Sequence, residues 1–189
     1  MSSKINVIFI GDIVGVQSLN YLIDNLSTIK KKYQSNFIIV NGENVDNGKG
    51  ITEEQANSLF EVGVNTITTG NHIWDNWKSR PLLQKNDKVL RPLNYPPGNA
   101  GKGFKIYDLP DFNKLAVIQI QGRTFMQSID CPFRSVDNAI KQIGDKTNNI
   151  IVDFHADATA EKIAMGWYLD GQVSAVIGTH THIQTADAC

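Results

Sequence analysis

The chain has 189 residues, 41% of them hydrophobic and 20% charged, with a formal net charge of −1. This is enough apolar content for one sizeable core and too much for a disordered chain. The near-zero net charge excludes a global basic field of the kind that drives bulk nucleic-acid binding. The two cysteines, Cys131 and Cys189, form no CxxC pair and no disulfide framework. No apolar run is long enough to span a bilayer or serve as a signal segment, so a cytoplasmic protein without a membrane partner is expected.

Short apolar runs alternate with helical periodicity along the chain. Ile5–Ile10 reads as a first strand, and a helix follows from about Val16 to Tyr33, with Leu19, Leu22, Ile23, Leu26 and Ile29 at helical spacing and Lys30 to Lys32 near its end. Phe37–Val40 is a second strand. Thr52-Glu53-Glu54-Gln55 has the form of a capping box and opens a helix to about Val62. Val64–Thr69 is a third strand, and this βαβαβ order predicts a largely parallel sheet covered by helices.

The middle changes character. Arg91 to Gly98 is loop by its prolines and glycine. Phe104–Asp108 and Leu115–Gln121 read as an antiparallel hairpin joined by Leu109-Pro110-Asp111-Phe112-Asn113. Gln119 and Gln121 alternate with Ile118 and Ile120, the pattern of a strand with one wetter face. A helix is expected from about Ser135 to Ile143 and a buried strand over Ile150–Phe154. Another helix, with Thr159 as its cap, runs from Ala158 to Leu169. The run Val173–Ile177 reads as a last buried strand.

Each strand ends in polar residues. The first ends in Asp12, the second in Glu43 and Asn44, and the third in Asn71 and His72. The strand from Ile150 ends in His155, and the last in His180 and His182. In open α/β sheets ligands bind beyond the carboxyl ends of the strands, and all four histidines lie at that edge. In an extended segment, His180 and His182 (at i and i+2) would point to one side. Taken singly, Asp12 could be a helix cap, Asn71 a turn residue and His155 a satisfied core histidine. Taken together, they form an oxygen and nitrogen donor set without thiolate, which suits Mn, Fe or Zn. The set is too large for one tetrahedral ion and suits two ions about 3.5–4 Å apart. Two carboxylates against two divalent ions leave a net positive site that attracts a phosphate ester.

The order Asp, Gly-Asn-His, His, then Gly-x-His-x-His resembles the calcineurin-like metallophosphoesterases. Six longer stretches resemble their YmdB-type phosphodiesterase branch across almost the whole chain. They are Gly11-Asp12-Ile13-Val14-Gly15, Asn41-Gly42-Glu43-Asn44, Gly70-Asn71-His72-Ile73-Trp74-Asp75, Arg91-Pro92-Leu93-Asn94-Tyr95-Pro96, Asp153-Phe154-His155-Ala156, and Gly178-Thr179-His180-Thr181-His182 with the following Ile183 to Asp187.

The resemblance implies a four-layer α/β/β/α sandwich and hydrolysis of small cyclic nucleotides or other small phosphodiesters. It implies that Asp12, Glu43, Asn44 and His182 hold one metal and Glu43, Asn71, His155 and His180 a second. The ions would be Fe or Mn, with Zn as an alternative. A hydroxide bridging them would attack phosphorus, and His72 would be the catalytic acid or charge stabiliser.

The superfamily's Asp-x-His is replaced by Asp12-Ile13-Val14, with Asn44 standing in for the missing histidine. Asp157 stands where relatives carry Glu. The family domain is expected to continue past Cys189, so residues 1–189 form a single domain with its C-terminal part missing, and homo-oligomerisation is compatible with the sequence.

Arg91 and Arg123 are candidate phosphate or base contacts, or structural arginines. Trp74, Tyr95 and Phe125 either stack on a base or pack in the core. Asp153 is placed to orient His155.

Two other readings remain. One is a regulatory metal- or nucleotide-binding protein with little turnover, docking a partner such as RNA-processing machinery. The other is an amide-bond hydrolase, in which His-x-His typically opens an early strand and Gly70-Asn71-His72 has no role.

Overall fold

The computed structural model describes residues 4–110, 113–186 and 188. The expected hairpin turn at Asp111 and Phe112, Asp187 of the last motif, and Cys189 lie outside the described residues. Among those described, no helix is long and apolar enough to cross a membrane.

Two four-stranded sheets face each other. The first contains β1 (Val7–Ile10), β2 (Phe37–Asn41), β3 (Thr66–Thr68) and β4 (Val89–Leu90), all parallel and in that order. The second contains β5 (Phe104–Asp108), β6 (Lys114–Gln121), β7 (Ile150–His155) and β8 (Ala175–Thr179). Here β5 and β6 form the expected antiparallel hairpin, and β6, β7 and β8 run parallel. Helices α1 (Gly15–Tyr33), α2 (Glu53–Glu61) and α3 (Ser79–Lys85) belong with the first sheet, and α4 (Pro132–Ile143) and α5 (Thr159–Tyr168) with the second.

Side-chain alternation along the strands builds the layers. In β2, Ile38 and Val40 pack outward with Leu19, Leu22 and Leu26 of α1 and Leu59 of α2. Phe37 and Ile39 point inward and meet Tyr107, Leu115, Val117 and Ile151 of the other sheet. On the far side Ile118, Ile120, Val152 and Phe154 pack with Val136 and Ala139 of α4 and Met165 of α5. The result is the four-layer α/β/β/α sandwich.

The capping box forms as the sequence predicts. Gln55 N donates to Thr52 Oγ1 (3.3 Å), and Thr52 N donates to Gln55 Oε1 (3.0 Å). The basic last turn of α1, Lys30 to Lys32, complements the negative end of the helix.

Several expectations need correction. The cap of α5 is Ala158, without a side-chain bond, and Thr159 is its first residue. Helix α4 starts three residues earlier than expected, because Pro132 suits a first helical turn whose N–H has no partner to lose. Gln119 and Gln121 are fully buried, since the first sheet closes over the face that looked wet. Strand β8 spans 175–179 rather than 173–177 and is an edge strand, half-buried over most of its length. The two-residue β4 and the short α3 carry too little pattern to register in the sequence.

The parallel strands of both sheets run toward one edge. There Asn41 Nδ2 donates across the sandwich to Asp153 Oδ2 at 3.1 Å.

Candidate metal centre

Glu43 sits at the middle of this edge, fully buried in the turn after β2. Its Oε1 lies 2.9 Å from His155 Nε2. Its Oε2 accepts the backbone N–H of His72 at 3.0 Å. Gly70 makes this approach possible, because a Cβ there would overlap both His155 and Glu43 Oε2.

On one side of Glu43, His155 Nε2 is 3.1 Å from Asn71 Oδ1 and 3.1 Å from His180 Nδ1. One ligand atom each from Glu43, His155 and His180 fall within 4.8 Å of one another. On the other side, Asn44 Nδ2 lies 3.3 Å from Glu43 Oε1 and 3.3 Å from His182 Nε2. His182 Nε2 is in turn 3.3 Å from Asp12 Oδ2. That Asp12 oxygen also accepts the backbone N–H of His180 at 2.7 Å. All seven residues named for metal binding are thus brought together, in two groups that meet at Glu43.

The route by which His180 and His182 converge differs from the expectation. Both have positive φ, 97° and 54°, so a tight turn rather than strand alternation aims them. Helix α5 braces this turn. The Lys162 stem lies against Gly178, where a Cβ would meet Lys162 Cδ at 2.7 Å, and its ammonium donates to Thr181 Oγ1 at 3.1 Å. Asp12 is not a helix cap; the cap of α1 is Val14.

Behind the histidines is a buried relay. Thr179 Oγ1 donates to Asp153 Oδ1 at 2.7 Å and lies 2.9 Å from His155 Nδ1. With its proton committed to Asp153, Thr179 Oγ1 receives the Nδ1 proton of His155, and Nε2 faces Glu43 and Asn71. Asp153, expected to orient His155 directly, reaches it only through Thr179, which the sequence does not single out. The signal was a hydroxyl opposite His155 in the parallel register of β7 and β8.

Electrostatics follow the packing. Burial pushes Glu43 up, but the charge and hydrogen bond of His155, with the His72 N–H, outweigh it and hold the carboxyl below its ordinary value. Burial disfavours the His155 imidazolium, yet Glu43, Asp12 and Asp153 hold it above the usual value. Burial and neighbouring His155 push His180 down, against the charges of Glu43, Asp157 and Asp12. Burial raises Asp153 to about 6, partly offset by the Thr179 hydrogen bond.

The donor set fits metal ions. Asp12 Oδ1 is buried without a hydrogen-bond partner, an orphaned anionic oxygen at the edge of the cluster. Carboxylate, imidazole and amide groups converge there with no thiolate among them.

His72 lies on a short 3₁₀ turn, Asn71–Trp74, with Nδ1 2.8 Å from Asp75 Oδ2. Trp74 and Tyr95 pair with ring centroids 5.0 Å apart, and Tyr95 Oη lies 2.8 Å from Gln127 Oε1 and 3.2 Å from Gln121 Oε1. Arg91 is structural: it is buried, and its Nη1 donates to the carbonyls of Pro92 and Leu93. Arg123 and Phe125 are exposed, so Phe125 is not a core residue.

A family model described as YmdB-like protein matches residues 8–189. The chain is 45% identical over 181 residues to the 2′,3′-cyclic-nucleotide 2′-phosphodiesterase of Bacillus subtilis (strain 168), covering 96% of this chain and 68% of the relative. It is 36% identical over 195 residues to a putative phosphatase/phosphodiesterase of Mycoplasma pneumoniae, covering 99% and 68%. The crystal structure of a hypothetical protein from Thermus thermophilus superimposes with a TM-score of 0.89 at 42% identity, covering 97% of this chain and 70% of that one. A novel phosphatase from Mycoplasma pneumoniae superimposes with a TM-score of 0.91 at 34% identity, covering 99% and 68%.

Proposed function

The chain belongs to the YmdB-like family, and on that premise we propose that it is a cytoplasmic metal-dependent phosphodiesterase that opens 2′,3′-cyclic nucleotides. The observation that carries this reading is the double donor cluster meeting at buried Glu43, with the orphaned Asp12 Oδ1 at its edge. Asp12, Glu43, Asn44 and His182 would hold one ion, and Glu43, Asn71, His155 and His180 the other. An asparagine amide presents its oxygen by rotation about its last bond, so Asn44 can turn Oδ1 to a cation. The donor types suit Mn or Fe, with Zn also accommodated. Bound ions supply Lewis-acid stabilisation of the phosphoryl oxygens and lower the pKa of water.

The chain's own residues do the rest. His72 N–H fixes one Glu43 oxygen, and the Asp153–Thr179–His155 relay fixes the imidazole tautomer that turns Nε2 to the cluster. Asp75 holds the His72 ring through Nδ1, leaving Nε2 to give a proton to the departing ribose oxygen. Water adds to phosphorus, the P–O2′ bond breaks, and a 3′-phosphomonoester with a free 2′-hydroxyl is released.

Hydrolysis of 2′,3′-cyclic AMP with Mn²⁺ added tests this. Turnover is expected in the wild type and is lost in Glu43→Ala. In His72→Ala it falls by about 10²–10⁴, with bound metal retained. Undiminished turnover in Glu43→Ala overturns the proposal.

A further inference from the structure

Among the described large apolar residues the three most exposed are Phe125 (86%), Trp77 (79%) and Ile183 (72%). Each belongs to a loop leaving the carboxyl end of a strand: Trp77 after β3, Phe125 after β6 and Ile183 after β8. These are loops of the edge that carries the metal cluster. Trp77 is five residues past His72, and Ile183 directly follows His182. The loop of Phe125 starts beside His155, whose carbonyl accepts the N–H of Gly122 at 2.9 Å.

The Phe125 loop is fixed. The Glu161 carboxylate accepts the backbone N–H groups of Arg123 (3.0 Å) and Thr124 (3.1 Å), and a Cβ on Gly122 would meet Glu161 Oε2 at 2.5 Å. Phe125 itself has φ 63°, a conformation a bulky side chain adopts only when its surroundings impose it. Its ring gains no burial in return.

Cations accompany the two aromatic rings. Lys78 and Arg80 flank the start of α3 beside Trp77, and Arg123 lines a cleft of about 260 Å³ with Thr124, Ser128 and Glu161. Among the described residues none of these three cations pairs with a carboxylate, and Arg123 donates only weakly, to the Ile129 carbonyl at 3.4 Å. Two nearby carboxylates are engaged within the protein, Asp75 by His72 and Glu161 by the loop backbone. Exposed rings interleaved with unpaired cations are the surface that single-stranded nucleic acid fits, bases stacking and phosphates meeting the charges.

We infer that the rim of the metal cluster, Trp77 and Phe125 with Lys78, Arg80 and Arg123, binds the single-stranded RNA that precedes a terminal 2′,3′-cyclic phosphate. The inference rests on the phosphodiesterase reading and narrows its substrate. In a 2′,3′-cyclic nucleotide the 5′ oxygen takes no part in the ring, so a chain can continue from it. In a 3′,5′-cyclic nucleotide that oxygen is consumed. The same bond breaks as in the mononucleotide, and the extra nucleotides add binding alone.

The test compares 2′,3′-cyclic AMP with a five-nucleotide RNA ending in a 2′,3′-cyclic phosphate. The wild type is expected to show a KM about tenfold lower for the RNA. Trp77→Ala/Phe125→Ala raises that KM about tenfold and raises the KM for cyclic AMP several-fold less. Equal KM values for the two substrates in the wild type, or equal effects of the variant on both, overturn the inference. Fluorescence anisotropy of the same RNA bearing a 3′-phosphate, with no metal added, separates this from the activity itself. Saturable binding that the double variant loses supports the rim even if neither substrate is turned over, an outcome that sinks the phosphodiesterase reading alone. Absence of binding in the wild type overturns the rim.

Discussion

Gly70 and His155 occupy one space: the imidazole lies where a side chain at Gly70 would begin. The third strand of the first sheet is therefore followed by a residue without a Cβ because the third strand of the second sheet ends in the His155 imidazole. Gly70→Ala must push His155 and Glu43 apart. Overpacking of this kind costs about 1–3 kcal/mol. The expected outcome is a lowered Tm with loss of bound metal and turnover, read by thermal melts and metal analysis of the purified variant. Wild-type metal content would contradict it.

Thr179→Val removes the hydroxyl between Asp153 and His155 with little change in shape. The buried Asp153 carboxyl loses a donor, costing about 1–3 kcal/mol, and the His155 tautomer loses its anchor. Metal affinity or activity is expected to fall about 10–100-fold, the usual effect of losing a partner behind a ligand. Thr179→Ser, which keeps the hydroxyl, should recover most of it.

Lys162→Met keeps the aliphatic stem over Gly178 and removes the bond to Thr181. The turn holding His180 and His182 loosens while the core is untouched. Metal dissociation is expected to speed up with Tm nearly unchanged, measured by chelator-chase kinetics. An unchanged off-rate would show that the bond does not brace the turn.

Thr52→Ala removes the half of the α2 capping box that runs through the Thr52 hydroxyl, the acceptor for Gln55 N–H, and keeps the backbone N–H that donates to Gln55 Oε1. The expected loss is about 1 kcal/mol in chemical denaturation, with activity unaffected because α2 bears no site residue.

Asp87 is held below the usual carboxylate range, first by its hydrogen bond to Lys105 Nζ at 2.5 Å and then by the charges of Lys105 and Lys102. A folded pKa below the unfolded one means stability that is complete above the ordinary carboxylate value. It is lost as pH falls through the depressed one. The pair is solvent-exposed, so its worth is about 0.5 kcal/mol. Asp87→Asn should lower stability at pH 7 by that amount and leave it unchanged near pH 2, as pH-resolved denaturation would show.

The candidate site was largely legible because its chemistry sits at strand ends. Apolar runs such as Ile150–Phe154 announce a strand, and the first polar residues beyond it, here His155, mark the edge. The capping box was equally legible, being a local contract between Thr52 and Gln55. What the sequence hid is tertiary. Period-two alternation shows that Gln119 and Gln121 share a face but not that the first sheet covers it. An apolar run such as Val173–Ile177 reads the same at the edge of a sheet as at its centre. The positive φ of His180 and His182 has no glycine to advertise it. Thr179 and Lys162 look like ordinary polar residues until the register of β7 with β8 and the position of α5 are known.

The hydrogen bond from His180 N to Asp12 Oδ2 joins residues 168 positions apart. Such contacts carry the largest loop-closure cost and form late in folding. A ribosome delivers Asp12 long before His180 and His182. The emerging polypeptide can thus hold the cores of both sheets while its donor cluster is still unfinished. On the proposed metal reading, capture would be a closing event of biogenesis, open only to a chain whose His-x-His turn has docked onto the first strand.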